Sequence, residues 1–181
     1  MMVSALFISS KSQSTIGFEG GYVFGFQGKH IQIMDETVSD YKANGVYLLA
    51  NYKKTIRNSE WSFNSGIGTK LFSIRGITDS ASRIYGMTLR VNLFIGANYP
   101  VNEKLNFGLN IITENNRDFE DLLDAKSDMW RYSLGIESSY IVTKNISFIV
   151  RFSKILYPNI DLYLLLNPAN QFSVGFNFKI K

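Results

Sequence analysis

Eight segments of this chain alternate between bulky apolar residues and small or polar residues with a period of two. Successive side chains of a β-strand point to opposite faces, so the alternation predicts strands with one apolar face and one polar face. The fourth segment is the clearest, because apolar residues occupy every odd position from Tyr85 to Tyr99. The predicted strands cover residues 15–27, 45–52, 61–71, 85–99, 105–111, 133–140, 146–153 and 172–180.

The connections between these strands alternate between long and short. The long ones are residues 28–42, 73–83, 114–129 and 154–170, and the short ones are residues 54–60, 100–104 and 142–145. An even number of strands of about ten residues, with tight turns at one end and longer loops at the other, is typical of barrels that cross a bacterial outer membrane. No apolar run reaches the roughly 18 to 20 residues that a transmembrane helix needs.

Side-chain size indicates which face of the barrel lies inside. The polar face consists mainly of Gly, Ser, Thr and Asn, whereas the apolar face is bulky along every strand. Eight strands enclose an interior just wide enough for side chains, so the polar face fits inside and the bulky face fits against lipid. The sequence therefore predicts an all-β fold, an eight-stranded antiparallel up-and-down transmembrane β-barrel with a polar, plugged interior. A soluble lipocalin-like binder of small molecules, with the apolar face inside, is an alternative.

Charged residues on the polar face form a predicted lumen charge network. Its members are Glu19, Lys70, Arg90, Glu137 and Arg151. A buried charge is costly unless it is paired, so Glu19 and Glu137 are expected to pair with some of the three basic residues. Such pairs are expected to close the lumen. The functional alternative is a gated ion path that opens when the charged residues change partners.

Tyrosine and tryptophan residues gather near the ends of the predicted strands. Those nearest the short turns are Tyr52, Trp61, Tyr99 and Tyr140, and those nearest the long loops are Tyr85, Trp130 and Tyr132. Amphipathic rings favour the two interfaces of a membrane, so their positions agree with an apolar face that meets lipid.

The N-terminus has the pattern of a secretory signal. Residues 2–8 are apolar except for Ser4, and a polar stretch rich in Ser follows them. We interpret residues 1–14 as a residual signal peptide and residues 15–181 as the barrel. The basic segment that normally opens a signal is absent, so either the natural start lies upstream of Met1 or the segment is an ordinary N-terminal strand.

The residues available for catalysis are few. The chain has no cysteine and one histidine, which excludes disulfide scaffolds, thiolate nucleophiles and cysteine-bound zinc. His30 in the first long loop, with Asp79 and Ser80 in the second, are residue types that lipid A acyltransferase barrels use. A lipid-A-modifying enzyme is therefore an alternative function. The surrounding sequence does not match those enzymes, and we predict no catalytic residue.

Carboxylates are concentrated in the third long loop. They are Glu114, Asp118, Glu120, Asp121, Asp124 and Asp128. Asp118, Glu120, Asp121 and Asp124 are the candidate ligands for a cation such as Ca²⁺, but their spacing lacks the order and the turn glycine of an EF-hand. We predict a solvated loop, with no metal and no cofactor.

Three stretches of the chain carry a family resemblance. They are the Gly-rich first strand at residues 17–22, the turn at residues 99–104 and the aromatic last strand at residues 172–178. The chain resembles the small OmpA/OmpX-type outer-membrane barrels, particularly the outer-membrane β-barrel proteins of Bacteroidota. The resemblance implies the outer membrane of a Gram-negative bacterium, periplasmic termini, and contact with outer-membrane lipid and lipopolysaccharide. The last strand is similar to the signal read by the barrel-assembly machinery, although it ends in Lys179, Ile180 and Lys181.

These observations predict a non-enzymatic integral outer-membrane barrel with a structural or surface-interaction role, either alone or as a subunit of an envelope complex. The fourth long loop contains an apolar run that begins with Ile160 and ends with Leu166. This run is expected to contact an envelope protein partner, to fold over the barrel mouth, or to form a further strand. The mild excess of basic residues is spread along the chain, so nucleic acid is not an expected partner.

Overall fold

A computed structural model of the 181-residue chain shows an all-β architecture. The structure describes residues 13–26, 31–33, 36–78, 80, 83–118, 130–156 and 170–180. The strands are β1 (Ser14–Phe26), β2 (Ile31–Ile33), β3 (Glu36–Thr55), β4 (Ser62–Thr78), β5 (Arg83–Pro100), β6 (Leu105–Asp118), β7 (Trp130–Ile141), β8 (Ile146–Ile155) and β9 (Asn170–Ile180). Among the described residues, no helix is long and apolar enough to span a membrane.

Eight of these strands form a closed antiparallel barrel. From β3 to β9 each strand pairs with the next along the chain, and β1 closes the ring by pairing with both β3 and β9. The short strand β2 pairs only with the beginning of β3. The predicted fold class, an eight-stranded antiparallel barrel, is confirmed.

The register of the strands determines the width of the barrel. Cross-strand partners followed once around the ring are Ile16, Tyr52, Ser65, Ile95, Ile111, Leu134, Lys154, Asn170 and finally Phe26. The path therefore returns to β1 ten residues further along, at residue 26 instead of residue 16. For eight strands this stagger corresponds to a tilt of about 40° and leaves an interior that side chains fill.

The two ends of the barrel differ. One end, here the turn end, holds Ser14, Ile180 and the tight turns at residues 56–61, 101–104 and 142–145. Local polar residues build these turns, because the Asn102 Oδ1 atom accepts hydrogen bonds from the backbone N–H groups of Lys104 and Leu105, each at 2.9 Å. The opposite end, here the loop end, holds the strand ends at Phe26, Thr78, Arg83, Trp130 and Asn170.

Several strands are longer than the alternation predicts. Strand β3 begins at Glu36, β4 continues to Thr78 and β6 continues to Asp118, so part of each of the predicted long loops 28–42, 73–83 and 114–129 is strand. Near the loop end the outward positions become polar, as at Lys42 and Arg75 on paired positions of β3 and β4. The hydrogen-bonded ladder continues there although the contrast between an apolar face and a polar face disappears.

The predicted assignment of the two faces agrees with the observed exposure. Leu48 on β3 points outward and is 61% exposed, whereas its neighbour Tyr47 points into the lumen and is 4% exposed. The lumen is not purely polar, however. Bulky apolar side chains are buried inside it towards the loop end and the middle, among them Leu49, Phe72 and Phe94. Residues 1–12 and the run from Ile160 to Leu166 lie outside the described residues.

Candidate functional site

Aromatic side chains lie on the outside of the barrel towards both of its ends. All seven predicted rings are exposed on the outer surface, and the rings of Trp61 and Tyr99 touch with centroids 5.2 Å apart. On β7, Trp130 and Tyr140 both point outward and are ten residues apart. With a rise of about 3.3 Å per residue and a tilt of about 40°, they are about 25 Å apart along the barrel axis, which is the height of a lipid-facing band.

The first group of charges inside the lumen is the Arg151 cluster, which consists of Glu19, Glu137 and Arg151. Arg151 Nη2 donates to Glu19 Oε2 at 3.1 Å and to Glu137 Oε2 at 2.6 Å. Arg151 Nε also donates to Glu137 Oε2, at 3.0 Å. The guanidinium lies 5.4 Å from the centroid of the Phe94 ring. One cation from β8 therefore holds two carboxylates, one from β1 and one from β7.

The second group is the Glu114 cluster, which consists of Lys70, Arg90, Glu114 and Gln171. The carboxylate of Glu114 accepts hydrogen bonds from Lys70 Nζ, from Arg90 Nη1 at 3.2 Å and from Gln171 Nε2 at 3.0 Å. Lys70 Nζ also donates to Gln171 Oε1 at 2.7 Å. The guanidinium of Arg90 is 4.5 Å from the centroid of the Phe72 ring. One carboxylate from β6 therefore holds two cations, from β4 and β5.

The structure places all five residues of the predicted lumen charge network inside the barrel, but it divides them between two clusters. Glu19 and Glu137 share Arg151, while Lys70 and Arg90 pair with Glu114. Glu114 is predicted to lie in a solvated loop, and this prediction is wrong because the residue lies in β6 and is 1% exposed. The sequence does contain a sign of this position. If the alternation of β6 is continued beyond Asn110 and Ile112, the next lumen-facing residue is Glu114.

Two further buried side chains were not predicted. Arg131 on β7 is buried at the register position opposite Glu114. Tyr47 on β3 reaches across to β9, where its hydroxyl lies 2.3 Å from the position that a Cβ atom on Gly175 would occupy. Only glycine at this position leaves room for the tyrosine ring.

Asparagine side chains fill the lumen between the Arg151 cluster and the turn end. Asn51 Nδ2 donates to Asn177 Oδ1 at 3.2 Å, and Asn64 Nδ2 donates to Asn110 Oδ1 at 3.2 Å. Asn110 Nδ2 then donates to Glu137 Oε2 at 3.2 Å, which joins this layer to the Arg151 cluster. One cavity beside these side chains has a volume of about 30 Å³. It has room for one or two water molecules.

The other predicted site residues are largely outside the described ranges. His30, Asp79, Glu120, Asp121 and Asp124 belong to segments that the structure does not describe. Asp118 is the last residue of β6, and Ser80 is an exposed turn residue. Within the described ranges no group of three His, Cys, Asp or Glu side chains is placed to hold a metal ion. The predictions about catalysis and metal binding therefore stay predictions.

Solved structures of two membrane proteins share this architecture. The outer membrane protein OprG from Pseudomonas aeruginosa has a TM-score of 0.53 and 11% sequence identity, over 96% of this chain and 99% of its own. The Yersinia pestis outer membrane protein Ail has a TM-score of 0.54 and 10% identity, over 93% of this chain and 100% of its own.

This chain has the fold of an eight-stranded outer-membrane β-barrel. No protein-family model matches the sequence, and no curated protein sequence matches it. At such low sequence identities the similarity shows the fold alone. The function depends on the particular residues that the fold carries. An ion-paired lumen beneath a bulky apolar exterior is the reverse of the arrangement in a soluble lipocalin-like barrel.

Proposed function

We propose that the protein is a non-enzymatic integral barrel of the outer membrane of a Gram-negative bacterium, with a structural or surface-interaction role. The observation that carries this proposal is the distribution of side chains between the two faces of the barrel. Large apolar residues such as Leu48, Leu109 and Ile136 are more than half exposed on the outside, whereas the charged residues of the Arg151 and Glu114 clusters are buried inside. Water-facing strands do not present such a surface, and lipid-facing strands do.

A closed lumen supports a role that does not depend on transport. The Arg151 cluster, the Glu114 cluster and the asparagine layer cross the interior from one wall to the other. Barrels of eight strands are filled by side chains, whereas open channels need many more strands. Recording from the protein in a planar bilayer tests this part of the proposal. We expect no steady conductance, and a steadily open state would contradict a closed lumen.

The two ends support an orientation with the turn end in the periplasm. Short periplasmic turns and longer outer loops are the rule in outer-membrane barrels. On this orientation the barrel-assembly machinery reads β9, and the loop end is available to partners outside the cell. We propose a contact with an envelope protein through the run from Ile160 to Leu166. The Bacteroidota relationship and a signal peptide at residues 1–14 belong to the same proposal.

A lysine on the outer face tests whether that face meets lipid. Leu48 lies in the middle of β3 and points outward, so Leu48→Lys places a charge near the middle of the bilayer. We expect it to lower the free energy of unfolding by about 2–4 kcal/mol in lipid vesicles. Val142, in a turn at the turn end, is 54% exposed and provides the matched control, because Val142→Lys should cost about 1 kcal/mol or less.

Equal effects of Leu48→Lys and Val142→Lys would contradict a lipid-facing exterior. We also expect the protein to be recovered in the outer-membrane fraction of cells. Its migration on SDS gels should change when the sample is heated. The non-enzymatic part of the proposal is tested separately by mass spectrometry of lipid A from cells with and without the protein. A change in acylation would contradict it.

A further inference from the structure

An apolar groove runs across the outer surface of the barrel from β4 to β8. It has a volume of about 730 Å³. Outward residues in adjacent register form one row along it: Phe63, Ala97, Leu109, Ile136 and Phe152. The row begins near the turn end, one residue from the start of β4, and rises towards the loop end on β8.

The floor of the groove consists of one small outward side chain and of backbone. Ala97 points outward, whereas Gly96 and Gly135 occupy lumen-facing positions of β5 and β7 and line the groove with their backbone. Phe63 and Phe152 stand at the two ends of the row. The outer surface of a barrel is otherwise convex.

The length of the groove is close to that of one acyl chain. The row crosses from β4 to β8, and strands about 4.8 Å apart with a tilt of about 40° give it a rise of about 12 Å along the barrel axis. Lys154, two residues beyond Phe152, extends the groove by about 5 Å. The total of about 17 Å is slightly more than half of the roughly 30 Å hydrocarbon core of a bilayer.

A positive charge terminates the groove at the loop end. Lys154 points outward, is exposed, and has Leu134 and Asn170 as its cross-strand partners. It is the only charged residue among the described residues that line the groove. Within the described part of the chain, no carboxylate forms a salt bridge with Lys154. A lysine on a lipid-facing strand is costly unless its ammonium reaches the headgroup region and finds an anion.

We propose that this groove binds one acyl chain of a phosphorylated lipid, with the headgroup phosphate held by Lys154. The groove supplies an apolar surface of acyl-chain length, and the ammonium supplies the complementary charge at the loop end of that surface. Lipid A and a glycerophospholipid share this chemistry. The proposal rests on the proposed location of the barrel in a membrane.

The test is retention of lipid by the purified full-length barrel, measured by native mass spectrometry. The barrel is reconstituted with lipid A, with phosphatidylglycerol or with an uncharged galactolipid, and is then returned to detergent. We expect the wild-type protein to retain a phosphorylated lipid and not the galactolipid. Lys154→Gln should reduce retention roughly tenfold, the effect of losing one charge-assisted contact.

A second variant tests the groove without changing the lysine. Ala97→Phe fills the floor and should also abolish retention. The matched controls are Lys54→Gln, which removes an exposed lysine at the turn end of β3, and Ala50→Phe, which adds a ring to the outside of β3 away from the groove. Both controls should retain lipid as the wild-type protein does.

The outcomes separate the lipid site from the proposed function. Retention of lipid A alone, or of phosphatidylglycerol alone, supports the site and identifies the source of the phosphate. Equal retention of the galactolipid, or equal retention by Lys154→Gln and the wild type, would contradict the lipid site. Neither result would affect the proposed location of the barrel in a membrane. A wild-type protein that fails to insert into vesicles overturns the proposed function instead. Gel migration that changes on heating shows that each variant is folded.

Discussion

The Arg151 cluster and the Glu114 cluster have the same design with opposite charges. In the first, one cation holds the carboxylates of Glu19 and Glu137. In the second, one carboxylate holds the cations of Lys70 and Arg90. Each cluster therefore has a central residue whose removal leaves two buried groups of like charge. The partners in both clusters come from different strands, so each cluster ties together a wide arc of the wall.

The difference between the clusters lies in how their central residues are supported. Glu114 also accepts a hydrogen bond from the amide of Gln171, which donates and accepts within the same cluster. Arg151 itself has no hydrogen bond to an amide side chain among the described residues, and the Asn110 amide donates to Glu137 instead. A neutral amide can take over part of a lost charged contact. The Arg151 cluster is therefore expected to tolerate the loss of its centre less well.

The largest effect is expected from Arg151→Met, which leaves two buried carboxylates without their cation. Removing one partner of a buried ion pair typically costs about 3–5 kcal/mol in the free energy of unfolding. Urea unfolding in lipid vesicles measures this cost. The matched control is Arg57→Met in an exposed turn, which should change the free energy of unfolding by less than about 0.5 kcal/mol.

A smaller effect is expected from Glu114→Gln. The amide keeps the shape of the side chain and one acceptor oxygen for Lys70, so we expect a loss of about 2–4 kcal/mol in the same unfolding experiment. Glu60→Gln, at an exposed turn position, is the control. If Glu114→Gln costs more than Arg151→Met, the proposed difference between the two clusters is wrong.

Combining Arg151→Met with Glu137→Gln tests whether the clusters act as units. The single variant Glu137→Gln should be destabilising, because it weakens a contact with Arg151. In the Arg151→Met background it should instead recover about 1–2 kcal/mol, because it removes one of two unpaired charges. Simple addition of the two single effects would show that the residues are independent.

The smallest effect is expected from Lys70→Met, which removes a peripheral member of its cluster. Glu114 keeps its bonds to Arg90 and Gln171, so the loss should be about 1 kcal/mol. The measurement is the free energy of unfolding of Lys70→Met and of Glu114→Gln in the same lipid vesicles. A loss as large as that of Glu114→Gln would mean that Glu114 is not the centre of its cluster.

The limits of the alternation are clearest on β6. The period of two assigns Leu105, Leu109 and Ile111 to the outer face, and the structure has them there. Beyond Ile111 the outward residue is Thr113 and the pattern fades, although the strand continues to Asp118. The alternation therefore predicts that Glu114 lies in a loop. A hydrogen-bonded ladder does not need an apolar face, so hydropathy alone underestimates strands that extend past the lipid-facing band.

The sequence by itself determined the number of strands in the barrel, which side chains face outward, and where the tight turns lie. These features depend on alternation and turn residues, which act over a few neighbouring positions. Only the tertiary structure decided which charges meet. Glu19 and Arg151 are 132 residues apart in the chain, and Lys70 and Gln171 are 101 residues apart. Their contacts depend on closure of the ring and on its ten-residue stagger, which no local pattern encodes.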